Sequence, residues 1–112
     1  MNFDNFQDEK LELSAEELRQ TLNIESGKLE WKELQVHFAR GAVVVIDPAL
    51  DLIQVSEKFV KDDKKAIESW MNENKIWRAT DDDAKQWVKD EPVFWAVVVP
   101  PWVLVQKTKN SA

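Results

Sequence analysis

Glu33 and His37 stand four residues apart, with Glu30 three residues before Glu33. On a helix that spacing puts a carboxylate and an imidazole on one face, and both groups are common zinc ligands. A metal site needs a third and usually a fourth protein ligand, and His37 is the only histidine of the chain. A surface Glu–His helix pair accounts for the same spacing. Glu33 and His37 are therefore weak metal candidates, and no cofactor is expected. Acid–base chemistry has ample material, since 21 residues are Asp or Glu. It needs two carboxyl groups facing one pocket, in environments that push their pKa values apart. Asp47, Asp62, Asp63, Thr80 and Asp83 instead fall where helix N-caps are expected. Asp51 is expected one turn inside its helix, where its charge suits the dipole.

Nucleophilic catalysis has less support. Ser14, Ser26, Ser56, Ser69 and Ser111 all lack the strand–elbow–helix setting of a G-x-S-x-G nucleophile. Cysteine is absent, which removes thiolate catalysis, Cys–zinc sites and disulfides together. No catalytic residue is assigned. The two glycines leave almost no material for a phosphate-cradling loop. A net charge of −6 argues against DNA, RNA and anionic membrane surfaces as partners. The closest basic cluster, Lys61, Lys64 and Lys65, is interrupted by Asp62 and Asp63.

The aromatic residues carry the stronger signal. Six Trp occur with no Tyr, and Trp is enriched in binding hot spots. Trp31 and Trp70 fall on helical stripes and are expected in the core. Trp77 alternates with Ile76 on a short edge strand, and Trp95 and Trp102 flank Pro100-Pro101. Trp77, Trp95, Pro100, Pro101 and Trp102 are therefore the candidate interface or binding residues. The partner is a protein or a second copy of the chain.

The elements that would position these groups can be read in order. Residues 1–13 form a polar lead-in in which Phe3 and Phe6 could dock. Ser14-Ala-Glu-Glu17 is a capping box that opens a helix carrying Leu18 and Leu22. Gly27 breaks or bends it, and Trp31, Leu34 and Phe38 continue at helical spacing to Arg40-Gly41. Ala42–Ile46 is apolar on both faces, the pattern of a strand covered on both sides. Asp47-Pro48 reads as N-cap and first helical position, with Leu52, Val55 and Phe59 on that helix. Asp62-Asp63 caps a further piece bearing Ile67, Trp70 and Met71. Ile76–Ala79 is an edge strand, and Thr80-Asp-Asp-Asp83 caps a last helix through Trp87 and Val88. Val93–Val99 and Trp102–Val105 are the most hydrophobic strand region. The proline pair between them marks a bulge, an edge crossing or a change of partner. That region must be central or paired with another chain, so a charge at Val98 is expected to be strongly destabilising. Lys107–Ala112 is a tail.

Trp31-Lys-Glu-Leu34, Phe38-Ala39, Val43-Val44-Val45, Asp51-Leu52, Asp62-Asp63-Lys64, Trp95-Ala-Val-Val-Val99 and Pro101-Trp-Val-Leu-Val-Gln106 together resemble a bacterial family. It is the one catalogued as domain of unknown function 2288. The resemblance covers about residues 11–106 and implies a small bacterial cytosolic protein; it carries no activity and no functional residue. The reading is a single α/β or α+β domain over residues 14–106. A three- to four-stranded mixed sheet is covered by four or five helices, the N-terminal helices shielding one face. The N-terminus has no secretory signal pattern, and the uncharged run Pro92–Gln106 falls short of the roughly 20 residues a membrane helix needs. A cytoplasmic, non-catalytic binding or accessory module is expected. The alternative is a small hydrolase or metal-dependent enzyme using Glu33, His37 and nearby carboxylates.

Overall fold

In the computed structural model, residues 13–108 are described. The lead-in with Phe3 and Phe6, and the tail from residue 109, lie outside them. The first described helix, α1 (Ala15–Glu25), opens with one half of the expected capping box: Ser14 Oγ accepts the Glu17 N–H at 3.2 Å. Leu18 and Leu22 are its buried stripe. Strand β1 (Gly27–Glu30) follows where only a break was expected, and α2 (Trp31–Ala39) starts directly after it. Gly41 ends that run at φ +70°, a left-handed conformation that favours glycine.

Strand β2 (Val43–Ile46) is buried at every position, as its two apolar faces demand. The helix expected from Asp47 begins later, as α3 (Leu52–Val60). Asp47 Oδ1 accepts the Ala49 N–H at 2.7 Å and holds a turn instead. Asp followed by Pro also suits the first two positions of a type I turn, so the dipeptide serves either structure. Asp51 is the actual N-cap rather than a residue within the helix; its Oδ1 accepts from Ile53 and Gln54 N–H at 2.9 and 3.3 Å. Of the pair after α3, Asp63 alone caps α4 (Lys64–Asn72), while Asp62 sits at φ 53°. Strand β3 (Ile76–Arg78), α5 (Asp81–Asp90), β4 (Val93–Val99) and β5 (Trp102–Lys107) complete the described elements. Thr80 and Asp83 form a reciprocal capping box on α5. The proline pair is a two-residue reversal: Val99 faces Trp102 across it, and the Pro100–Pro101 peptide is cis.

The sheet has five strands, one more than the upper expectation, in the order β1-β4-β5-β2-β3. Among the described strands only β2 and β5 run parallel. The two N-terminal helices go to opposite faces rather than one. On one face α1, α3 and α4 cover Val44, Ile46, Val97, Val99 and Leu104. On the other, α2 and α5 cover Val43, Val45, Phe94, Ala96, Val103 and Val105. That second core holds an aromatic stack: the Trp31 ring centre lies 5.6 Å from Phe38 and 5.5 Å from Trp87, and Trp87 lies 5.0 Å from Phe94. Val98 departs from expectation. It is 48% exposed, so its side chain has no closed core from which a charge would be excluded.

Candidate functional site

The β4–β5 hairpin stands at one end of the sheet with a hollow on each side. The larger, about 500 Å³, has Val44 at its base and is walled by Phe59, Ile67, Met71, the two prolines and Trp102. Its existence follows from α4, whose described side chains are none of them fully buried. Ile67 and Trp70 reach the core only in part, and Met71 stays 40% exposed. The rim is charged with both signs, Lys64 and Arg78 against Asp62 and Glu68.

Arg78 fixes one wall. Its guanidinium carbon lies 5.5 Å from the Trp102 ring centre, within cation–π range. Its Nη2 donates to the Gly41 carbonyl at 2.7 Å. A Cβ on Gly41 would come to 2.7 Å from that same nitrogen and would push the flexible Arg78 tip aside, while the φ of +70° is what favours glycine at residue 41. Trp, Arg and Met are the side chains over-represented at protein interfaces. The smaller hollow, about 330 Å³, lies across the hairpin and is lined by His37, Arg40, Ala42, Val98 and Val103 together with the same prolines.

Of the five expected interface residues, the structure gathers Pro100, Pro101 and Trp102 in one groove. Trp95 lies further along β4, 40% exposed, with the Lys28 ammonium 5.3 Å from its ring centre. Trp77 faces the second core, and its Nε1 donates to Asp83 Oδ2 at 3.0 Å. Glu33 is exposed and His37 half-buried on α2. Among the described residues no three His, Asp or Glu side chains come together in a way that could hold a metal. Sequence reasoning passed over Arg78, Phe59, Ile67 and Met71 as site residues. Ile67 and Met71 share a helical face by their four-residue spacing, but that pattern equally describes a core stripe. No described helix is long and apolar enough to cross a membrane.

These elements define a single α+β domain, five described helices over a mixed five-stranded sheet. The chain belongs to the family described as "Protein of unknown function (DUF2288)", which it matches over residues 17–107. It is similar to PA1075 from Pseudomonas aeruginosa, known from an NMR solution structure. The two are 37% identical with a TM-score of 0.74, over 90% of this chain and 93% of that one. None of the curated proteins matches the chain.

Proposed function

We propose that the protein is a non-catalytic binding module whose groove beside the Pro100–Pro101 hairpin receives an apolar side chain of a partner protein. One observation carries this reading: Trp102 is held by Arg78 on one side of a groove whose other walls, Ile67 and Met71, belong to a helix that buries none of its side chains fully. Hot spots are built from such anchors in pockets that exclude water. The rim carries two cations and two carboxylates, so it selects by charge position rather than by net charge. We place the module in a bacterial cytoplasm; kinship with a Pseudomonas aeruginosa protein supports the bacterial part.

The test is capture of partners by the tagged full chain from lysate of the source cells, beside Met71→Glu and Trp102→Ala variants of unchanged circular dichroism. A partner bound by the wild type and lost with both variants supports the groove. An unchanged set of bound proteins sinks it. A second copy as the occupant would appear as a dimer in sedimentation that either variant dissolves.

A further inference from the structure

Strand β4 is flanked by β1 for only part of its length. Thr108 N–H donates to the Val93 carbonyl at 3.2 Å, and the hairpin closes at Val99 opposite Trp102. By the alternation of an antiparallel ladder, residues 93, 95, 97 and 99 bond toward β5, and 94, 96 and 98 turn their N–H and C=O to the other side. There β1 sets Leu29 against Phe94 and Gly27 against Ala96, and ends. Among the described residues no strand stands opposite Val98. An edge of this kind is a template for a further strand.

The charge around this edge narrows the occupant. The hollow that Val98 borders carries His37 and Arg40 and no carboxylate, in a chain whose net charge is −6. Exposed charges more than about 8–10 Å apart are largely screened at physiological ionic strength, so the nearby Arg40 guanidinium weighs most on what binds here. A second copy fits poorly. Two β4 strands paired about a two-fold axis at Val98 would set the two copies' Arg40 guanidinium groups on one face, close together. By the same alternation, Val98 alone turns its N–H and C=O to the open side between the end of β1 and Pro100.

We propose that the open edge of β4 binds an extended acidic segment of a partner protein, which adds a strand in line with β1. Its main chain exchanges hydrogen bonds with Val98. An apolar side chain covers Val98 and Val103, and its carboxylates lie by Arg40 and His37. Main-chain bonds then supply affinity and the hollow supplies selectivity. The proposal rests on the binding-module reading but uses the opposite side of the hairpin from Trp102.

The probe is a fluorescein-labelled heptapeptide alternating Val and Glu, titrated into the full chain and read by anisotropy. One control replaces Glu with Lys, and another N-methylates the backbone at alternate residues. Both controls bind weaker by about tenfold or more, because each removes one of the two kinds of contact. The Val98 amide, followed by hydrogen exchange in the labelled protein, becomes protected on peptide addition. Val98→Pro weakens binding by about tenfold while keeping the fold, since the N–H it removes lies outside the β5 ladder. Arg40→Glu is the second variant and gives the same loss without touching the strand.

Equal binding of either control peptide, no effect of Arg40→Glu, or an unprotected Val98 amide in the complex overturns the proposal. So does protection that rises with protein concentration alone, which marks a second copy. If Trp102→Ala rather than Arg40→Glu weakens the peptide, the groove is the site; the edge proposal then fails while the module reading stands.

Discussion

Glu57 is the most buried charge described in the molecule, 4% exposed on α3. Arg19 Nε donates to its Oε2 at 3.0 Å from α1, and Lys61 Nζ to its Oε1 at 3.4 Å. Burial alone would raise the carboxyl pKa. The hydrogen bond and charge of Arg19, then those of Lys61, outweigh it and hold the pKa below 4.5. A carboxylate with a lowered folded-state pKa adds stability above its unfolded value, and that stability is lost as pH falls through the folded one. Arg19 and Lys61 keep 61% and 43% of their side chains exposed, so the interaction is partly screened. Glu57→Gln is expected to cost about 1–2 kcal/mol near neutral pH. The gap to wild type should close as pH drops below 4.5. Urea titrations of both proteins across that range measure it, and a pH-independent gap would show that shape rather than charge is what Glu57 supplies. The residue scale also shows where sequence patterns stop. Asp83 was legible as a cap, because Thr80 stands three residues before it. Its second bond, to Trp77 Nε1, depends on how β3 meets α5 and leaves no local trace.

Adjacent residues of β4 make the case at the level of elements. Val97 is 0% exposed and lies among α1, α3 and the neighbouring strands, while Val98 is 48% exposed at the open edge. Val97→Asp is expected to cost about 3 kcal/mol or more, as for a charge buried without a partner. Val98→Asp should stay within about 1 kcal/mol. Denaturant unfolding of the two variants checks the contrast; equal losses would mean that the edge is covered in solution. The run of valines made this strand plain in the sequence, yet it hid which residue faced out, because alternation is invisible where both faces are apolar. Strand β1 was missed for the opposite reason. Gly27-Lys28-Leu29-Glu30 holds one large apolar residue, and it is a strand because β4 offers it a ladder. The helix start at Asp47 failed through local degeneracy, since turn and N-cap draw on the same Asp-Pro signal.

For the whole molecule, the sheet is shared property. The buried run Val43–Ile46 implied cover on both faces, and that much of the architecture was readable from the chain. The division of helices between faces was not, since it depends on a strand order in which β5 separates β4 from β2. Val44 and Ile46 serve one core while Val43 and Val45 serve the other, and β4 and β5 split in the same way. Neither core can lose its packing without exposing strands that the other needs. Unfolding is therefore expected to be a single cooperative transition. In a Trp70→Phe, Trp102→Phe background, which removes the tryptophans packed on the first core, near-ultraviolet circular dichroism reports mainly the Trp31, Phe38, Trp87 and Phe94 stack of α2, α5 and β4. The far-ultraviolet helical signal draws largely on α1, α3 and α4 across the sheet. The two denaturation curves should coincide in midpoint and slope. Trp87→Leu, which thins only the aromatic core, should move both curves by the same amount. Separate midpoints, or a shift confined to the near-ultraviolet curve, would show that one face melts while the other holds, and that the shared strands do not couple the two cores.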